Sequence, residues 1–177
     1  MQDEQELVKR AQQYNEEAFS ELYELYFDKI YRYISLKIGN RIEAEDMTQL
    51  VFIKALHSIS SFKWRGSPFS AWLFRIAHNL VVDHFRKKTR EPVTALSDTV
   101  MATDDNPEKL AELKIDIEKL AMAVKKLTPT QQEVIALRFS GEFPIAQVAE
   151  IMGKSEGAVK ALQHSAVVSL RKILNVV

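Results

Sequence analysis

Residues 145–164 read IAQVAEIMGKSEGAVKALQH. Two short helices crossing steeply around a tight turn need a small residue in the first helix, a glycine or similar at the turn, and an aliphatic residue in the second. Ala149, Gly153 and Val159 stand at that spacing. Val148, Ile151 and Leu162 add apolar contacts, and Ser155 is placed to cap the second helix. The pattern is that of a helix-turn-helix, whose second helix puts its early residues into a DNA major groove. The exposed candidates are Lys154, Ser155, Glu156, Ala158, Lys160, Gln163 and His164. Gln163 suits adenine edges, and Lys160 suits guanine or phosphate. A helical hairpin with no DNA role accounts for the same helices but not for the glycine turn and spaced small residues together.

Upstream, Thr128-Pro129 opens a helix with Val134, Ile135, Leu137 and Phe139 as its apolar set, and Gly141 ends it. A further helix is expected from Pro107 to about Leu127. Residues 89–107 break every periodic pattern and read as linker. Phe69 to Lys88 reads as one long helix, with Trp72, Leu73, Ile76, Ala77, Leu80, Val81 and Phe85 at spacings of three and four. Ser58 to Pro68 reads as a loop. Helices are also expected over 43–57 and within 4–37, where Asn15 is a plausible cap between two of them and Gly39-Asn40 a stop. The expected architecture is all-α: two small helical domains, 1–90 and 112–177, joined by an acidic flexible linker at 91–111.

The 177 residues carry zero net charge, with strong patterning beneath. From Lys63 to Arg90 there are seven basic residues and one acid; from Glu91 to Glu118 there are eight acids and two lysines. From Lys119 to the end, eight basic residues face four acids. Basic blocks flanking an acidic stretch point to polyanion-binding surfaces with a spacer that must not bind. The basic block 58–90 also holds Phe62, Trp64, Phe69, Trp72 and Phe74. Rings stack on unpaired bases while cations hold phosphates, and a loop that forms a pocket can hold a flipped base. Trp72, Phe74 and Phe85 read as core; for Phe62 and Trp64 core and base contact are both open.

Enzyme chemistry finds little support. There is no cysteine, hence no disulfide or thiol nucleophile. His78 and His84, six apart, turn about 240° from one another on a helix and share no face. No metal, cofactor or small-molecule substrate is expected. No run nears the roughly 18 apolar residues of a membrane span, and the acidic, polar start is not a secretory signal; a cytoplasmic, non-inserted protein is expected.

Four blocks in order resemble the extracytoplasmic-function sigma factors of bacterial RNA polymerase. Ala44-Glu45-Asp46-Met47-Thr48-Gln49 followed by Phe52-Ile53-Lys54-Ala55-Leu56 resembles that family's polymerase-binding helix. Phe69 to Asn79, then Asp83-His84-Phe85-Arg86-Lys87, resembles its promoter-opening helix. Leu127 to Phe139 and Ala149 to Lys160 resemble its fourth domain. The resemblance implies polymerase contacts at Glu45, Asp46, Gln49 and Phe52. It implies capture of a −10 base by Ser60, Ser61, Phe62, Lys63, Trp64 and Arg65, DNA contacts at Arg75, Asn79, Asp83, Arg86 and Lys87, and −35 reading by the second helix of the helix-turn-helix. The implied partners are core RNA polymerase, promoter DNA and an anti-sigma factor, with a monomer when free. Two departures stand out. Leu50 follows Gln49 where the family usually has an acid, and His164 is followed by Ser165-Ala166-Val167-Val168 where arginines are common. Fewer cations there lower nonspecific phosphate affinity.

A stand-alone helix-turn-helix regulator would explain 145–164 but not the blocks at 46–49 and 72–79. It would also usually dimerise on a palindrome. A pure protein-interaction module leaves the basic block unexplained.

Overall fold

The computed structural model describes residues 2–89 and 119–175. The acidic linker, and most of the helix expected from Pro107, lie outside them. The described residues form α1 (Gln2–Gln12), α2 (Glu16–Ile38), α3 (Arg41–Ser58) and α4 (Phe69–Lys88) in the N-terminal half. The C-terminal half has α5 (residues 119–125), α6 (Pro129–Phe139), α7 (Ile145–Met152) and α8 (Glu156–Leu174). No strand occurs among the described residues.

Local chemistry sets the helix ends. Asn15 caps α2 by accepting from the Ala18 amide at 2.7 Å, and Asn40 caps α3 from the Glu43 amide at 3.1 Å. Gly39, at φ 71°, closes α2 in the left-handed conformation that only glycine adopts without strain. Thr128 and Gln131 form a reciprocal capping box ahead of α6, with Pro129 in the first turn. The loop after α3 begins with one 3₁₀ turn, Ile59–Ser61, which extends the ordered structure beyond the expected helix end.

α1 to α4 pack around Leu22, Ile30, Tyr33, Ile34, Val51, Leu73, Phe74 and Val81, all almost wholly buried. The C-terminal half adds Val134, Leu137, Phe143, Val148 and Val159 to the same continuous apolar cluster. The two halves therefore share a core, with α6 against α2 and α7 against α4. A smaller cluster of Leu127, Ile135 and Ala166 holds α6 to α8. Phe74 is buried as expected, but Phe85 is 39% exposed near the free end of α4, and Phe139 is 66% exposed at the end of α6. Both lie in the last turn of their helix.

Candidate nucleic-acid interface

The loop between α3 and α4 folds back over the first turns of α4. Phe62 is buried at its centre, with its ring 5.1 Å from Trp64, 5.5 Å from Phe69 and 5.3 Å from Trp72. The Trp64 and Phe69 contacts are edge to face, an arrangement aromatic pairs favour, and the Trp72 contact is tilted. Gln12, on α1, ties the loop down by donating to the carbonyls of Ile59 at 3.0 Å and Phe62 at 2.8 Å. The Trp64 indole N–H is buried and finds no acceptor among the described residues.

This aromatic base floors an open cleft of about 440 Å³. Ser61, Lys63, Arg65 and Ser67 line one side, Trp72 and Arg75 the other, and Glu150 reaches in from α7. Lys63, Arg65 and Arg75 are exposed, and so are Ser60 and Ser61. Of the six expected loop residues, Phe62 is thus mostly core and Trp64 half-buried, Ser61, Lys63 and Arg65 line the cleft, and Ser60 is exposed outside it. Ser67 from the loop also lines the cleft, as does Trp72 on α4, which was expected in the core but is only half-buried.

Further along α4, Asn79, Asp83, Arg86 and Lys87 are all exposed, and Arg86 pairs with Asp83 at 3.2 Å. The side chain of His84, which lies between them in sequence, points instead toward Glu43 on α3, 3.5 Å away. The three basic residues Arg86, Lys87 and Lys88 fill the last turn, where they also complement the helix dipole.

On α3, Asp46 and Gln49 lie on an outward face with Leu50, Ile53 and Leu56, each of these three at least 40% exposed. Glu45 is half-buried and holds Arg41 at 2.8 Å, a bond that raises the Arg41 pKa. Phe52 is not on that face. Its side chain is buried against Tyr23 and Phe27, because residue 52 follows the buried register of Ala44, Thr48, Val51 and Ala55.

The helix-turn-helix forms as spaced. Gly153, at φ 63°, ends α7 with its N–H directed at Ala149 and Glu150 carbonyls. Ser155 accepts from the Ala158 amide at 3.2 Å to start α8. Ala149, Ile151 and Val159 are buried at the crossing. Lys154 and Ser155 in the turn, and Glu156, Ala158, Lys160 and His164 on α8, are all exposed. Gln163 differs: it is half-buried, and its Oε1 accepts from Arg138 Nε at 2.9 Å. Arg138 also donates to the Phe143 carbonyl, so it braces the turn from α6 rather than facing DNA.

One cluster was not anticipated. Glu133 on α6 is 3% exposed. It accepts from Tyr33 Oη at 2.5 Å and contacts His78 Nδ1 at 2.8 Å, while its other oxygen meets Lys37 Nζ. Burial alone would raise this carboxyl, but the His78 hydrogen bond and the Lys37 charge outweigh it and lower its pKa to about 2. Burial, reinforced by the Glu133 charge, pushes the Tyr33 hydroxyl well above its ordinary value. An acid beside an apolar run, Val134 to Leu137, was the one sequence signal that could have flagged it.

Family models match Sigma-70 region 2 over residues 22–91 and Sigma-70, region 4 over residues 123–172. The chain is 40% identical over 172 residues to the ECF RNA polymerase sigma factor BldN of Streptomyces coelicolor, covering 96% of this chain and 65% of BldN. It is 32% identical over 179 residues to the ECF RNA polymerase sigma factor SigW of Bacillus subtilis, covering 94% of each. A structure of CnrH in complex with the cytosolic domain of CnrY has a similar fold, with a TM-score of 0.74 at 23% identity over 98% of this chain and 97% of that one. The sigma factor RpoE of Bartonella quintana, in complex with the anti-sigma factor NepR, gives 0.77 at 23% identity over 89% and 97%. These relatives are regulatory initiation factors rather than enzymes. With both sigma regions matched in order and SigW aligned over nearly its whole length, the chain belongs to the ECF sigma factors, which act with RNA polymerase in transcription initiation.

Proposed function

We propose that the N-terminal half, residues 1–90, docks on core polymerase through α3 and opens the −10 element, while the C-terminal half, residues 112–177, reads the −35 element as duplex. The observation that carries this is the cleft beside α4: an aromatic floor under Lys63, Arg65 and Arg75, open at one side. A flipped base needs a shaped, partly apolar seat, and its flanking phosphates need cations. Ser61 borders that seat, and Phe62, packed against Trp64, shapes it from beneath. Asn79, Asp83, Arg86 and Lys87 continue the track along α4 toward the duplex edge of the bubble. Trapping an unstacked base lets binding energy drive strand separation, with no covalent step.

On α3 the docking contacts are Asp46 and Gln49, with Glu45 at the rim. Exposed Leu50 and Ile53 supply apolar area in place of the acid the family usually carries after the glutamine. Phe52 acts from below, holding the helix in position. On α8, Lys154, Ser155, Glu156, Ala158, Lys160 and His164 face the major groove, and Gln163 reaches it only with the amide not held by Arg138. An anti-sigma partner follows by analogy with the CnrH and RpoE complexes, and the free chain acts as a monomer in the cytoplasm.

The test is co-purification with bacterial core RNA polymerase. Wild type should co-elute, and Asp46→Ala with Gln49→Ala should be lost from the complex while keeping its helical dichroism. Failure of wild type to co-elute, together with tight binding to free duplex, would replace this reading with a stand-alone regulator.

A further inference from the structure

Glu133 is a buried carboxylate whose three partners all belong to the other half of the chain. Tyr33 and Lys37 come from α2 and His78 from α4. Lys37 also reaches the Pro129 carbonyl at 3.4 Å, so one ammonium grips both the start and the middle of α6. A buried charge is tolerated only when paired and hydrogen-bonded, and removing its partners is strongly destabilising. The site is therefore satisfied only with the halves together.

A second carboxylate crosses the same boundary 17 residues further on. Both oxygens of Glu150 accept from Ser67 Oγ at 2.5 Å, and one also takes Arg75 Nη2 at 2.9 Å. A hydroxyl and a guanidinium converging on an anion is the ligand set a phosphate of the DNA strand would use. Glu150 occupies it inside the cleft. Meanwhile the outward face of α3 and the first turn of α8 stay exposed.

We infer that the free chain closes on itself through a carboxylate latch, Glu133 seated among Tyr33, Lys37 and His78, and that closure sets Glu150 in the base-capture cleft as an internal stand-in for DNA phosphate. The masking part rests on the −10 reading given above; the latch itself does not. Closure covers one DNA site and leaves the polymerase-docking face free. Polymerase thus meets a closed chain, and the cleft opens to DNA only as docking separates the halves.

The chain has no cysteine, so Tyr14→Cys with Lys172→Cys, both at exposed positions, take a dye pair at unique sites. Energy transfer in the full-length chain without polymerase should be high and should fall in Glu133→Ala. It should fall equally in Lys37→Ala, a change on the opposite half that guards against misfolding of either one; circular dichroism checks both. Anisotropy with a short fluorescent single-stranded DNA oligonucleotide should show Glu150→Gln and Glu133→Ala binding about tenfold more tightly than wild type, the scale of one charge-assisted hydrogen bond. Transfer unchanged in both Glu133→Ala and Lys37→Ala overturns the latch whatever the DNA result. Transfer that falls without tighter strand binding overturns the masking. If Lys63→Ala with Arg65→Ala in the opened Glu133→Ala chain leaves strand binding intact, the base-capture reading fails while the latch stands.

Discussion

Phe74 on α4 and Phe143 just before α7 meet edge to face, with ring centroids 4.7 Å apart, across the boundary between the two sigma domains. Both are buried. This aromatic pair is the apolar counterpart of the Glu133 cluster, and the two together make the domain boundary a core rather than a surface contact.

Truncating one ring should therefore be felt as a core mutation. Phe143→Ala is expected to lower stability by about 3 kcal/mol, the usual scale for emptying a phenylalanine site. Urea unfolding followed by near-ultraviolet and far-ultraviolet dichroism would measure it. A loss below about 0.5 kcal/mol, the range of surface substitutions, would mean that the ring is not packed in solution.

Gly141 lies against the same ring. A Cβ there would come within 2.5 Å of Phe143 side-chain carbons and 2.8 Å of the Leu137 carbonyl oxygen. Gly141→Ala should cost about 1–3 kcal/mol by overpacking. Thermal unfolding would show it, and a neutral or stabilised variant would be the contrary result.

Acid should weaken domain closure late. The groups facing Glu133 are Tyr33 and Lys37 from α2 and His78 from α4. Because the folded carboxyl is lowered to about 2, its contribution is complete above the ordinary carboxylate range. It is lost as pH falls from that range toward about 2. Energy transfer between the two domains should hold from neutral pH down to about 5, a unit or so above the ordinary glutamate value, and decline only below it. Glu133→Gln should remove that acid-dependent step. A wild-type decline centred near neutral pH would point to a different group.

Lys160 stands exposed on α8, 4.0 Å from Glu156. If it holds phosphate, Lys160→Ala should weaken −35 duplex binding for all sequences alike and reduce the salt slope by about one. Loss of discrimination at a single base pair with an unchanged slope would assign it to base reading instead. Titrations of polymerase holoenzyme at several salt concentrations distinguish the two.

Much of this was legible from the chain. Asn15, Gly39, Thr128-Pro129, Gly153 and Ser155 mark helix ends by local chemistry that depends on few distant atoms, and α4 begins and ends where its periodicity does. The helix-turn-helix was legible because its spacing residues act locally: Gly153 ends α7 at a positive φ, and Ala149 and Val159 are buried where the two helices cross. What escaped were properties set by long-range packing. Periodicity places Phe52 on α3 but does not say which neighbour faces it; Tyr23 and Phe27, some 25 residues earlier, do. Phe62, left open between core and base contact, is settled as core by Phe69 and Trp72 packing around it. Glu133 is hardest to read, since its burial depends on residues 55 to 100 positions away.

The ion cluster also bears on how freely such proteins can be recombined. Sigma domains look like interchangeable modules. Here a single acid on α6 is neutralised only by its neighbour domain. A hybrid that joins this C-terminal domain to a foreign N-terminal partner without counterparts of Lys37 and His78 would leave a carboxylate stranded against apolar surface. Such a hybrid would stay unlatched or hydrate the boundary, and Glu150 would no longer be held in the cleft beside α4.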